Sequence, residues 1–401
     1  MKKKCFGLII DINNLGHYIH AHELLITKIS NHFEKFYVIN VSNCKLTIFK
    51  NSFLSWDTFN DKDKSEVLKK LPKNFVFINP KNINELKTFF KNKDFLLINN
   101  IGRTFPELAL YFKLSSKKIR QIIVSNIANN EAGLIVSPFS AKLKIILSKK
   151  LPAKIISLLM IIGVLKKFEI RFDSNRKMIN AFKKQKKINR IYNKVIPVNN
   201  RSFDSFKLSK LKVAEDFIVL IDANLNHKDD VAARGKVDEK SLNHHYERLN
   251  NLLKKLQNFY QKKVIICIHP QYDLNETKKK FPNFETIKFK TKESIYNAFL
   301  VLFFDSTAIM DAFLLKKNII SLKSKIDWIG RPASYYTQYG TTLIDIDSDL
   351  NFSKKELDEK FRISKQYYNN FLYDYIITDG DKIGVDKVIN YCKAVCNQLN
   401  E

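Results

Sequence analysis

Residues 263–324 constrain the fold more than any other part of this chain. They read as strand, helix, short strand, helix, strand, helix, strand. Residues 264–268 (VIICI) are apolar throughout and stop at His269-Pro270. Residues 300–304 (LVLFF) do the same and stop at Asp305-Ser306-Thr307. Runs this short, apolar on both faces and separated by helical segments, suit strands covered on both sides in a parallel sheet. Crossover connections bring such strands out pointing the same way, so His269 and the Asp305-Ser306-Thr307 turn are expected on one rim. Open α/β sheets bind their ligands at that rim.

The residue types there suit an anion. Ser306 and Thr307 open the next helix, where unpaired backbone N–H groups and the helix dipole favour negative charge. Pro270 stiffens the backbone behind His269, whose ring can reach a neighbouring strand's loop ~4.8 Å away and donate to the same phosphate. Asp305 opposes a phosphate unless it caps the helix, pairs with His269 or takes sugar hydroxyls. Taken singly, each residue fits an ordinary strand end or helix cap. Their occurrence together is what points to a site.

The first half repeats the theme. Residues 5–10 form a strand ending in the loop Asp11-Ile12-Asn13-Asn14-Leu15-Gly16, and helical periodicity follows over 17–29, a Rossmann-type beginning. Asp11, His17 and His20 are offered at the rim, where an acceptor hydroxyl can be deprotonated. Asp11 also reads as a turn or capping residue, and His17 as a solvated side chain. Strands are predicted at 36–41, 75–78, 95–99 and 120–125, with helices at 61–70, 84–91 and 106–114, the alternation of a doubly wound domain. The pattern weakens at Pro197-Val198-Asn199-Asn200. An N-terminal domain is therefore expected over 1–195, a linker over 196–212, a second domain over 213–375 and a terminal helical segment over 376–401.

In the second domain a strand at 217–221 ends at Asp222, and its loop carries His227 to the same rim as His269. Asp229 and Asp230 in that loop lack the further ligands a metal needs and read as solvated. A helix is predicted at 242–260, and others at 367–376 and 382–399. The loop 328–336, with Gly330, Arg331, Pro332 and several aromatics, either closes over a ligand or packs the surface.

Charge is unevenly placed. The formal net charge is +29, yet residues 1–200 hold 37 basic and 13 acidic residues against 32 and 27 in 201–401. An anionic partner or surface for the first half follows. Within it, 155–165 (IISLLMIIGVL) lies between lysines and is too short for the ~20 residues of a bilayer span. It fits a buried helix or one lying in the headgroup region of an anionic leaflet. The tract Lys183-Lys184-Gln185-Lys186-Lys187 lacks interleaved aromatics, so nucleic acid is not expected. The five cysteines have no metal-ligand spacing and suit reduced thiols in the cytoplasm. Asp11 interrupts the apolar run behind Met1-Lys2-Lys3-Lys4 too soon for an export signal.

Residues 219–324 carry a family likeness: Ile221-Asp222, His227-Lys228-Asp229, Ile268-His269-Pro270, then Ser306-Thr307 with Ala312 and a basic turn into Ile319-Ile320. This set resembles the GT-B glycosyltransferases of bacterial surface polysaccharide (O-antigen and capsule) biosynthesis. More distantly it is similar to the His-Pro-motif sialyltransferases and Kdo transferases. The resemblance implies an α/β fold of two Rossmann-like domains facing a cleft. It implies transfer of a sugar from a nucleotide-sugar donor to a surface polysaccharide or lipid-linked glycan, without metal or any other cofactor. His269, Ser306 and Thr307 would hold the donor phosphate, with Pro270, Asp305, Asp222, His227 and Gly16 nearby in their clefts, and Asp11 or His17 would serve the acceptor. The expected location is cytoplasmic, peripheral at the inner membrane. A nucleotide-sugar 2-epimerase or polyol-phosphate transferase of the same fold, and a non-catalytic basic membrane-surface protein, remain as alternatives.

Overall fold

A computed structural model describes residues 3–45, 68–69, 71–103, 105–116, 118–125, 151–184, 191–209, 213–222, 225, 237–268, 273–288, 290–304, 306–326, 334–348 and 350–398. They fall into two compact units, one formed by described residues of 1–205 and 377–398, the other by those of 206–376.

The first unit is a parallel sheet of β1 (Lys3–Ile10), β2 (Phe36–Asn40), β3 (Phe75–Ile78), β4 (Lys93–Asn100), β5 (Ile119–Ser125), β6 (Phe168–Asp173) and β7 (Tyr192–Pro197). Its order is β3-β2-β1-β4-β5-β6-β7, so the chain builds outward from β1 and then returns to β1's other side with β4. Its helices are α1 (Ile12–Ala21), α2 (Glu23–His32), α3 (Ile83–Phe90), α4 (Leu108–Leu114), α5 (Leu151–Ile161), α6 (Arg176–Lys184) and the first five residues of α7 (Arg201–Leu208). Alternation along β1 sends Phe6, Leu8 and Ile10 to one face, against Leu15 of α1 and Leu25, Ile26 and Ile29 of α2. Cys5 and Ile9 go to the other, against Leu86 and Phe90 of α3 and Leu110 of α4. Gly7 lies where a Cβ would meet the Tyr37 carbonyl oxygen at 2.6 Å. That close approach explains the glycine inside a central strand.

Two sequence expectations change here. The predicted loop 11–16 is helix from Ile12 onward, because Leu15 and Tyr18 follow Ile12 at helical spacing and are buried on the sheet. Residues 196–212, read as a linker, contain the end of β7 and α7, and the division between the two units, at 205/206, falls within them. The predicted helix at 61–70 lies almost wholly outside the described residues.

The second unit is a parallel sheet of β8 (Phe217–Ile221), β9 (Lys263–Ile268), β10 (Glu285–Lys288), β11 (Ala298–Phe303), β12 (Asn318–Lys323) and β13 (Thr342–Asp345), in the order β10-β9-β8-β11-β12-β13. Between and after them run α8 (Glu239–Tyr260), α9 (Leu274–Lys280), α10 (Thr291–Tyr296), α11 (Ile309–Leu314) and α12 (Lys354–Phe371). Helix α8 buries Leu249, Leu252, Leu253 and Leu256 against Ile218, Leu220, Ile266 and Leu302. Helix α12 begins well before the predicted 367, where Ser353 and Glu356 form a reciprocal capping box. The last helix, α13 (Gly384–Gln398), belongs to the first unit. Its Val385, Val388, Ile389 and Cys392 pack among the residues of α2.

Candidate active site

Because every strand of the second sheet is parallel, all their C-terminal ends emerge on one edge. Phe303 pairs with Ile221, so the segments after β11 and β8 leave the sheet side by side. This is also the sheet's switch point, since the chain passes from β8 outward to β9 and β10 and then returns to β8's other side with β11. Asp222 sits here, buried, its N–H donating to the Cys267 carbonyl at 3.0 Å. Ser306 and Thr307 form the turn into α11 rather than its first residues. The Ser306 hydroxyl accepts from Ala308 N–H at 3.2 Å, and the Ser306 and Thr307 carbonyls accept from Ile309 and Met310 at 3.3 Å each. Thr307 is exposed and Ser306 half-buried.

The strands that lead to His269 and Ser306 are not neighbours. β9 and β11 flank β8, which places them roughly 10 Å apart, two strand spacings. Asp222, directly after β8, lies between these two strand ends. His227, His269, Pro270 and Asp305 lie outside the described residues, as do Asp229, Asp230 and residues 327–333.

A polar chain on the same edge was not singled out from the sequence. His245, in the second turn of α8, is 2% exposed, and its ring centroid lies 5.3 Å from that of Phe304 at the end of β11. Its Nδ1 is 3.1 Å from Ser324 Oγ, just past β12, and that hydroxyl donates to Asp347 Oδ2 at 3.1 Å, just past β13. A carboxylate only accepts, so the single hydroxyl proton goes to Asp347 and Ser324 must accept from His245. The imidazole is thereby fixed as the Nδ1–H tautomer. Burial, opposed by Asp347, brings its pKa down to about 4, so it is neutral in the physiological range.

On the first sheet the corresponding edge holds Asp11, directly after β1 and beside the β1/β4 switch point. Its carboxylate is buried and engaged on both oxygens. Oδ1 accepts from Ser42 Oγ at 2.9 Å, and Oδ2 is 2.6 Å from Lys45 Nζ, which also reaches Glu107 Oε1 at 3.1 Å. Burial alone would lower the Lys45 pKa, but the charges of Asp11 and Glu107 outweigh it and raise the ammonium above its ordinary value. Asn40 ties the group to the backbone, accepting from Ile12 N–H at 2.9 Å and Ser42 N–H at 3.1 Å. Gly16 and His17 are helical in α1, and the side chains of His17 and His20 are not among those described. Lys45 and Glu107 were missed in the sequence, being distant from Asp11 along the chain and without motif.

No protein-family model matches the sequence, and no curated protein matches it significantly. Solved structures do match. The wall teichoic acid polymerase TagF is 10% identical with a TM-score of 0.56, covering 100% of this chain and 90% of that one. MnaA of S. aureus, in a co-structure with UDP, is 12% identical with a TM-score of 0.53, covering 100% and 98%. A putative UDP-N-acetylglucosamine 2-epimerase from Listeria monocytogenes is 12% identical with a TM-score of 0.53, covering 98% and 97%. The chain has a GT-B-type fold of two Rossmann-like domains. At these identities the likeness extends to the fold alone.

The two edges differ chemically. The second sheet's edge offers the hydroxyls of half-buried Ser306 and exposed Thr307, with the neutral His245 imidazole buried behind it on Ser324. The first sheet's edge offers a paired carboxylate already holding a lysine, which suits orientation of a hydroxyl more readily than uptake of its proton.

Proposed function

We propose that the protein is a metal-independent glycosyltransferase, moving a sugar from a nucleotide-sugar donor to a surface polysaccharide or lipid-linked glycan at the inner membrane face. The observation that carries this is the switch point of the second sheet. The paired Phe303 and Ile221 there lead on to the Ser306-Thr307 turn and to Asp222, and the next residue after β9 is His269. In this reading the two hydroxyls and His269 take the donor phosphate and stabilise the negative charge that grows on it as the glycosidic bond breaks. The bond from the anomeric carbon to the phosphate oxygen is lost to the nucleotide, and the acceptor oxygen forms the new one. The first domain takes the acceptor, with Asp11 orienting its hydroxyl and His17 receiving its proton. Such a site needs no divalent ion to hold the phosphate.

The test is a thermal-shift screen with CMP, UDP, GDP and CDP, with and without EDTA. One nucleotide should raise the melting temperature independently of EDTA, and His269→Ala and Ser306→Ala/Thr307→Val should each lose the rise. Equal shifts in all three proteins would remove these residues from the site.

A second reading within the fold is a nucleotide-sugar 2-epimerase, favoured by the end-to-end likeness to the Listeria monocytogenes protein. A third, a polyol-phosphate transferase, is favoured by the likeness to TagF. Incubation with a nucleotide-sugar alone separates them. An epimerase inverts the sugar without an acceptor, a transferase leaves it intact until an acceptor is added, and a polyol-phosphate transferase turns over only a nucleotide-linked polyol. A basic binding protein consumes none of these.

A further inference from the structure

We infer that the outward face of α5 is a docking surface for an anionic lipid bilayer. The helix buries one stripe, Pro152, Ile156 and Met160, the last two in a cluster with Tyr111, Leu165 and Phe168. The opposite face of an ordinary surface helix is polar. Here it carries Leu158, 55% exposed, and runs on into Ile162 at 62% and Val164 at 51%, with Lys154 exposed among them. Gly163 between the last two has φ +83°, and a Cβ built on it would meet nothing within 4 Å among the described residues. Phe112 of the adjoining α4 is 48% exposed. Its neighbour Tyr111 shares the α5 cluster, and Ser115 at the end of α4 accepts from Lys166 N–H at 2.9 Å.

Length and charge decide the occupant. Eleven residues at ~1.5 Å each give a helix of roughly 16 Å, about half a hydrocarbon core, so it can lie along a bilayer but not cross one. Among the described residues no helix is long and apolar enough to span. Residues 101–200 hold 21 basic and 4 acidic residues. A second copy of this chain would bring that excess against itself, whereas an anionic leaflet neutralises it while the apolar side chains enter the headgroup region. The inference is independent of the reaction catalysed.

The experiment is cosedimentation of the full chain with vesicles of phosphatidylglycerol and phosphatidylcholine, and with phosphatidylcholine alone. The protein should pellet with the anionic vesicles at low salt and less as salt rises. Leu158→Asp/Ile162→Asp should weaken partitioning roughly tenfold or more while leaving the melting temperature unchanged, since both side chains are mostly exposed. No pelleting of the unaltered protein, or equal pelleting of the variant, overturns the inference. So does a variant that changes only the sedimentation coefficient, which would assign the face to a second copy. A variant that melts several degrees lower with unaltered vesicle binding would overturn it too, assigning the face to this chain's own residues. Nucleotide-induced thermal shifts are unaffected by any of these outcomes.

Discussion

Asp204 caps a helix that begins 180 residues further along the chain: its Oδ1 accepts the N–H of Gly384, the first residue of α13, at 2.8 Å. Oδ2 takes the next N–H, that of Val385, also at 2.8 Å. Two of the donors that a helix leaves unpaired at its start are thus satisfied inside the first unit. Gly384 is required there, since a Cβ would meet the Asn199 carbonyl oxygen at 2.7 Å. Asn199 completes the join by accepting from Thr378 N–H at 2.8 Å and donating to the Gly380 and Lys382 carbonyls at 2.7 Å each.

This cap titrates. Burial pushes the Asp204 pKa up to about 6, against the opposing pull of the Gly384 and Val385 N–H groups. An unfolded aspartate titrates near ~3.9, so the folded protein holds this proton more tightly. The associated stability is fully present below about pH 4 and is lost as pH rises through 6. Thermal unfolding between about pH 4 and pH 7 should show the protein gaining on Asp204→Asn as the solution is acidified, by on the order of 2 kcal/mol. A difference that does not vary with pH would show that Asp204 is not the titrating group. Asp204→Ala should cost about 1–3 kcal/mol, because two buried N–H groups lose their acceptor.

Most plainly legible in the sequence were the strands at the middle of each sheet, although the edge strands β3 and β10 were read as well. The runs ending at Ile221, Ile268 and Phe303 are apolar at nearly every position because helices cover both faces, and that pattern needs no tertiary information. Those that escaped notice have other physics. In β6, Phe168, Ile170 and Phe172 alternate with Glu169, which pairs with Arg120, and with Arg171, which pairs with Asp173 at 2.6 Å. The strands β7 and β13 are sheet edges, where one side of the ladder is free and polar residues are tolerated. The start of α12 was legible in principle, from Ser353 and Glu356 at capping-box spacing. The partners of Asp204, Asp11 and His245 were not, since each lies on another element and no periodicity connects them.

His245 should impose a pH dependence of the opposite sign to that of Asp204. Burial holds its pKa near about 4, with His244 and Lys280 also lowering it and Asp347 opposing, whereas an unfolded histidine titrates near ~6.5. Its contribution to stability is therefore present above about 6.5 and is lost as pH falls toward 4. His245→Phe should flatten the acid limb of the melting curve relative to the unaltered protein. The fixed tautomer has its own signature: imidazole nitrogen NMR shifts should show Nδ1 protonated and Nε2 bare at neutral pH. Observation of the reverse tautomer would break the proposed chain from Asp347 through Ser324.

Lys45 is the cation that Asp11 and Glu107 share, both of them mostly buried. Its removal leaves two carboxylates without their shared partner, and breaking a buried ion pair from one side costs more than the pair itself contributes. Lys45→Met should lower unfolding stability by about 2–4 kcal/mol. Adding Glu107→Gln should recover part of this, because one of the two stranded charges is then gone, so the pair of substitutions must be less harmful than the sum of the separate losses. Urea denaturation of the four proteins measures the coupling. Simple additivity would mean that Lys45 and Glu107 are not coupled across their 3.1 Å contact.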